Sequence, residues 1–254
     1  DKMMTNMQTS DSVTKICKDC QTPKEMVIEM LGKKIKVPIM CKCEEEEWDE
    51  MKNREAVQEK IARLERLRNY SLMDEQFKQC TFENFEVDST NKQFFNIAKR
   101  YAERFDEIKK ENIGLLLFGP PGTGKTYLAF CIANELLNNM TPVIAISSIG
   151  LLNRIKDTFN RFGDKGEVEI INSLKNADLL VLDDLGAENN TNWAKETIYE
   201  IIDSRYRDGK PIIITTNLTL NQLKEKMTSS DGVHRTYDRI IEMCYPIQIQ
   251  GRSR

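Results

Sequence analysis

From residue 91 onward, short apolar runs alternate with amphipathic stretches. Ile113–Phe118, Val143–Ile146, Leu179–Leu182 and Ile212–Thr215 are dominated by apolar or β-branched residues and have strand length. Such runs predict strands buried on both faces of a parallel sheet. Between and around them, Phe94–Lys110, Tyr127–Leu137, Ile149–Phe162 and Trp193–Arg207 predict helices. In the second of these, Leu128, Cys131, Ile132 and Leu136 recur at helical spacing. Asn221–Met227 and His234–Met243 predict two shorter helices, and Tyr245–Ile249 a last strand. Alternating strands and helices define an α/β fold with a parallel central sheet flanked by helices.

The N-terminal part follows another pattern. Glu25–Leu31 and Lys34–Ile39 predict the strands of a hairpin that turns at Leu31-Gly32-Lys33-Lys34. Residues 44–70 are rich in charge, with Met51, Val57, Ile61, Leu64 and Leu67 at helical spacing. This predicts an amphipathic connecting helix; a partner-binding helix is the alternative. Phe77–Phe85, including Cys80 and Phe82, brings aromatics just ahead of the alternating region. The expected division is a small module over 1–45, a linker helix over 46–76 and an α/β domain over 77–254.

Composition narrows the class. No apolar run approaches the roughly 20 residues that span a bilayer, and Asp1-Lys2-Met3-Met4-Thr5 lacks the apolar core of a signal peptide. The expectation is a cytoplasmic protein without a membrane partner. A net charge of −3 argues against binding to nucleic acid by bulk electrostatics. Any DNA contact would be local, or would arise from several copies together.

The apolar run ending at Phe118 leads into Gly119-Pro120-Pro121-Gly122-Thr123-Gly124-Lys125-Thr126, followed by Tyr127 and a helical pattern. The octapeptide fits the phosphate-loop pattern at every fixed position, in the strand–loop–helix context that the pattern requires. Backbone N–H groups and a helix N-terminus then converge on one spot suited to a phosphate chain. Lys125 would reach the β- and γ-phosphates, and Thr126 would place its hydroxyl on Mg²⁺. The run Leu179–Leu182 ends in Asp183-Asp184. A carboxylate at that end of a central strand faces the ligand crevice of an open α/β sheet. Asp183 would hold Mg²⁺ directly or through water, and Asp184 would orient and deprotonate the attacking water. Glu188 is a weaker candidate for the same cluster. Asn217 follows Thr215-Thr216 at the next strand end, where its amide could sense the γ-phosphate. Arg235 and Arg239 lie one helical turn apart, on one face. One of them could stabilise charge on a neighbouring copy's γ-phosphate; a surface pair bonded to nearby acids is the alternative.

Of the seven cysteines, Cys17, Cys20, Cys41 and Cys43 crowd the N-terminal module, while Cys80, Cys131 and Cys244 are scattered. A hairpin with a cysteine pair at each base gathers four thiolates, the closed tetrahedral set of a structural Zn²⁺ site. So short a module would draw much of its folding energy from the metal.

The ordered set GPPGTGKT, LLVLDDLGAE, IIITTNL and HRTYDRIIEM resembles the AAA+ ATPases of the DnaC/DnaI helicase-loader family over about residues 77–254. The N-terminal cysteine module is similar to the zinc-containing, helicase-binding domain of DnaI-type loaders. The resemblance implies ATP or ADP as ligand, Lys125 and Thr126 in the phosphate loop, Asp183 and Asp184 as Mg²⁺ and hydrolysis carboxylates, and Asn217 as first sensor. Arg235 or Arg239, with Arg239 favoured, matches the trans-acting arginine. It further implies a hexameric replicative helicase as partner, single-stranded DNA, self-association through the AAA+ domain, and ATPase activity raised by DNA and assembly. Arg154, Lys156, Phe159 and Arg161 form a basic and aromatic mixture suited to single strands. Arg254 stands one residue short of the register of the family's second sensor. An alternative is an IstB-like ATPase that acts on DNA with a transposase. A small-molecule kinase would need an arginine-rich lid, and the sequence offers none.

Overall fold

The computed structural model describes residues 15–30, 32–70, 75–162, 164–229 and 231–251. Residues up to Lys60 form one compact unit, and those from Ile61 form a second.

In the first unit, β1 (Glu25–Met30) pairs antiparallel with β2 (Lys33–Pro38), turning at Gly32 with φ 72°. The register sets Met26 opposite Val37 and Ile28 opposite Ile35. Because side chains alternate across a strand, Met26, Ile28, Met30, Ile35 and Val37 share one face, and the other carries Glu29, Lys34 and Lys36. Met26, Met30 and Ile35 are exposed. Helix α1 (Lys42–Tyr70) follows. Met51, Val57 and Ile61 are all exposed, and the side chains of Leu64 and Leu67 lie outside the described residues. A helix this polar is supported along its surface by pairs one turn apart, such as Arg54 with Glu50 at 3.0 Å.

The second unit opens with α2 (Glu75–Lys78), α3 (Lys92–Glu103) and α4 (Phe105–Lys110). Then come β3 (Gly114–Phe118), α5 (Lys125–Asn138), β4 (Val143–Ser147), α6 (Ser148–Phe162) and α7 (Asp164–Asn176). The rest is β5 (Leu179–Asp183), α8 (Asn192–Arg207), β6 (Ile212–Thr216), α9 (Leu220–Lys226), α10 (Arg235–Met243) and β7 (Cys244–Gln248). Two helical stretches depart from expectation. The single helix over 94–110 is two, broken at Arg104 (φ −108°, ψ 21°), which lets Phe105 turn into the core. Helix α7 was not predicted, because Gly163 and Gly166 punctuate its start in the sequence; Ile170, Ile171 and Leu174 bury its apolar side.

The strands form one parallel sheet in the order β4-β5-β6-β3-β7. Its two faces feed separate cores. Leu115, Leu117, Val143, Ala145, Leu179, Val181 and Ile213 face α3 and α5. The alternate residues Leu116, Ile144, Ile146, Leu180, Leu182, Ile212 and Ile214 face α6, α7, α8 and α10. Burial on both faces is why these strands read as continuous apolar runs rather than alternating ones. The order inserts β6 between β3 and β5, so three strand ends meet at one edge: Phe118 is level with Thr216, and Leu182 with Ile214.

The opposite edge is fastened by Arg205, whose side chain is fully buried. Its guanidinium donates to the carbonyls of Leu174 at 2.6 Å and Ala177 at 3.0 Å, and to those of Asp178 at 3.3 Å and Pro211 at 2.7 Å. It thereby caps α7 and ties it to the starts of β5 and β6. Burial pushes its pKa down to about 9. Arg205→Met should lower unfolding stability by about 3–5 kcal/mol, because several dry carbonyls lose their donor together. Urea denaturation measures this, and a loss below about 1 kcal/mol would contradict the clamp.

Candidate nucleotide site and cysteine cluster

The loop from Gly119 to Gly124 leaves β3 and enters α5 through two glycines that no other residue could replace without strain. Gly119 has φ 142°, and a Cβ there would lie 2.3 Å from the carbonyl oxygen of Ile249. Gly124 has φ 89° and caps α5 in the left-handed region. The Thr123 hydroxyl donates to the Pro120 carbonyl at 2.9 Å, and Lys125 Nζ donates to the same oxygen at 2.7 Å. Lys125 is buried, and burial pushes its pKa down against the pull of Asp184 and Asp183. With Thr126 and Tyr127, Pro121, Gly122, Thr123, Gly124 and Lys125 line a cavity of about 570 Å³.

Asp183, Asp184, Thr215 and Asn217 line the same cavity. Thr215 at the end of β6 donates its hydroxyl to Asp183 Oδ1 at 2.6 Å and accepts the Asp184 N–H at 2.9 Å. Asn217 Nδ2 donates to Asp184 Oδ1 at 2.8 Å, and the buried Ser148 hydroxyl donates to the Asp184 carbonyl at 3.0 Å. These bonds hold Asp184 at φ 52°, an uncommon conformation for a residue other than glycine. Burial, reinforced by Asp183, pushes the Asp184 carboxyl above its ordinary range, with Lys125 opposing. Glu188 is buried one step away and accepts the Gly186 N–H at 2.9 Å. Two packed carboxylates facing one ammonium and a cradle of backbone donors form an arrangement suited to a polyphosphate with a divalent cation.

The wall away from the loop comes from Phe77, Cys80, Asn84, Phe85, Glu86 and Asn91, with the Phe85 and Tyr127 rings 5.4 Å apart. In sequence these aromatics stand only as a cluster ahead of the alternating region, and no motif there assigns Thr215 or Ser148 to the site. The available signals were an aromatic cluster directly before a phosphate-loop domain and hydroxyls at the ends of two strands.

Neither arginine of α10 lines this cavity. Arg235 pairs with Asp231 at 2.8 Å on the surface. Arg239 bonds Asp203 and Glu242, both at 3.3 Å, and its guanidinium lies 4.1 Å from the Tyr206 ring centroid. On α6, Lys156 is exposed and lies over the Trp193 ring at 4.8 Å, while Arg154 is half-buried. The side chains of Phe159 and Arg161, and Arg254 altogether, lie outside the described residues.

In the first unit, the sulfurs of Cys17, Cys20, Cys41 and Cys43 all lie within 4.8 Å of one another, with Cys41 and Cys43 at 3.1 Å and Cys17 and Cys43 at 3.6 Å. A tetrahedral Zn²⁺ with bonds of about 2.3 Å sets its sulfurs about 3.8 Å apart, so the donor set fits that ion. Glu44 accepts the Cys41 N–H at 3.0 Å and pairs with Lys24 at 2.7 Å, locking the two cysteine pairs together. The Thr22 hydroxyl, as its largest influence, holds the Cys20 thiol down to about 5, while burial pushes Cys41 up and the neighbouring thiols, Cys41 first, push Cys43 up. Cys80, Cys131 and Cys244 are buried and form no disulfide.

Fold and cavity together define a P-loop protein of the AAA+ type, with a parallel sheet bearing the nucleotide-binding elements at one edge. The family model described as "IstB-like ATP binding protein" matches residues 39–254. The replicative helicase loader DnaC of Escherichia coli K12 is 34% identical over 180 residues, covering 70% of this chain and 69% of that protein. The phage-like element PBSX protein XkdC of Bacillus subtilis strain 168 is 32% identical over 205 residues, covering 75% and 72%. Among solved structures, DnaI has a TM-score of 0.58 at 26% identity, covering 72% of this chain and 94% of that one. The DnaC helicase loader has a TM-score of 0.59 at 24% identity, covering 70% and 100%, a likeness of fold. The chain belongs to the IstB/DnaC family of ATP-binding proteins. No helix among the described residues is long and apolar enough to cross a membrane.

Two outcomes are expected. Thr215→Val should cut the turnover number for ATP about ten- to a hundredfold with little change in KM, because it disorients both carboxylates and leaves the phosphate loop intact. A raised KM at unchanged turnover would contradict this. Elemental analysis of the purified chain should find Zn²⁺ in a 1:1 ratio, lost in a Cys17→Ser/Cys20→Ser variant; metal retained by that variant would place the ion elsewhere.

Proposed function

We propose that this chain is an ATP-controlled loader of a hexameric replicative helicase, acting on single-stranded DNA. The observation that carries the ATP control is the Asn217–Asp184 hydrogen bond of 2.8 Å within the Lys125 cavity. It joins the tip of β6 to the carboxylate that would activate water, so a γ-phosphate placed there would be felt by both. ATP is the ligand that fits, with Thr126 and Asp183 as the residues that would hold Mg²⁺. That ion would neutralise charge between the β- and γ-phosphates. Lys125 would bind the phosphates, Asp183 and Asp184 would orient the metal and the water, and Asn217 would register the triphosphate.

Lys125 is the only cation among the described residues that line the cavity. Phosphoryl transfer gains from a further positive charge, so the missing arginine would come from a neighbouring copy, Arg239 or Arg235. Hydrolysis would then depend on self-association, and DNA that aligns several copies would stimulate it. Arg154 and Lys156 on α6 are candidate DNA contacts.

The loader role is supported by similarity to proteins named replicative helicase loaders across about two thirds of their length. The module over residues 1–45, held by Zn²⁺ on Cys17, Cys20, Cys41 and Cys43, would dock on the helicase through the exposed apolar face of its hairpin. Residues 46–76 would be the linker, and 77–254 the ATPase. The test is co-migration of the full chain with its host's replicative helicase in size-exclusion chromatography. A complex is expected with the native chain and not with Cys17→Ser/Cys20→Ser. ATP binding without a complex in the native chain would favour the alternative of an ATPase that acts on DNA with a transposase. In mixed assays, Lys125→Ala and Arg239→Ala chains should each be inactive alone and recover turnover together. If Arg239→Ala alone keeps full turnover, the role passes to Arg235 or disappears.

A further inference from the structure

The cavity wall opposite the phosphate loop is not part of the sheet. It comes from α2 and the stretch between α2 and α3, which forms no strand. One stripe of α5 fastens the beginning of that stretch. Phe130 stacks on Phe77 with ring centroids 4.2 Å apart and planes 14° from parallel. One turn further on, Asn134 Nδ2 donates to both the Phe77 and Cys80 carbonyls at 2.8 Å. These oxygens sit at and just past the C-terminal end of α2, where the Phe77 carbonyl also accepts the Cys80 N–H at 3.1 Å. Asparagine is a poor residue for a helix interior, and the residues of α5 around it, Phe130, Cys131, Ile132, Ala133, Leu136 and Leu137, are buried and apolar. Its carboxamide is therefore explained by these two bonds, which span more than fifty residues of sequence. The same helix begins at Lys125, so one rigid element carries both the phosphate-binding end and the pin.

We propose that Asn134 is a positioning residue for base recognition: by pinning residues 77–80 to α5, it sets the wall of Phe77, Cys80 and Phe85 at a fixed distance from the phosphate loop. The base of ATP then packs against that wall while the phosphates lie on the loop. This rests on the reading of the cavity as an ATP site and separates two contributions within it. A compound with phosphates and no base should not depend on Asn134.

The test uses the full chain and displacement of a fluorescent ATP analogue by two competitors, ATP and inorganic tripolyphosphate, each with Mg²⁺. Asn134→Ala removes the pin, and Asn134→Asp keeps its shape while removing both donors. Both variants should lose about tenfold in affinity for ATP, the scale of two hydrogen bonds to carbonyls, with tripolyphosphate binding unchanged. Equal losses for both competitors would reduce Asn134 to a general structural role and overturn the proposal, as would unchanged ATP binding. A native chain that binds neither compound would overturn the ATP reading itself and the proposal with it.

Discussion

Two adjacent carboxylates held beside a buried lysine, at the edge of a sheet that is otherwise apolar, are the constraint on which the rest of this structure depends. Burial, with the neighbouring Asp183 charge adding to it, pushes the Asp184 carboxyl upward. Left to themselves the two carboxylates would turn out to solvent. Thr215 bonds the first and receives the backbone N–H of the second, Asn217 and Ser148 bind the second directly, and Lys125 supplies opposing charge. The fold spends its polar interactions where a ligand carrying several negative charges and a cation would complete the balance.

The strand order makes that possible. Had β5 lain directly beside β3, the two carboxylates would stand next to the phosphate loop with no element between them. Inserting β6 brings Thr215, Thr216 and Asn217 into the gap and supplies the hydrogen bonds that orient both acids. Thr216 contributes by donating to the Leu185 carbonyl at 2.6 Å, which holds the turn after the two aspartates. Stiffness at the far edge comes from Arg205, a buried charge whose guanidinium is held by four carbonyls. The end that is bound to carry chemistry and the end that holds the layers in register are thus built from different kinds of contact.

Much of this was legible in the chain because burial on both faces forces strands to be written as unbroken apolar runs. The phosphate loop and the acidic strand end are equally legible, since their chemistry demands fixed residue types at fixed spacing. Other features follow a different logic. Helix α7 escaped because its opening residues look like a turn, and its burial depends on partners distant in sequence. The break at Arg104 leaves no proline or glycine as a sign. Phe77 and Phe85 have the composition of core residues, and only the fold shows that they border a cavity as well. Thr215 and Ser148 are ordinary strand-end hydroxyls until β5 and β6 are set side by side.

The central claim is that one cavity, built from Lys125, Asp183, Asp184 and Asn217, holds ATP together with Mg²⁺. Calorimetric titration of the full chain with ATP, in the presence and absence of Mg²⁺, tests it most directly, with Lys125→Ala as the reference. The account predicts binding of one ATP per chain that weakens when Mg²⁺ is withheld and disappears in the variant. Binding that is indifferent to Lys125, or no binding by the native chain, would contradict it.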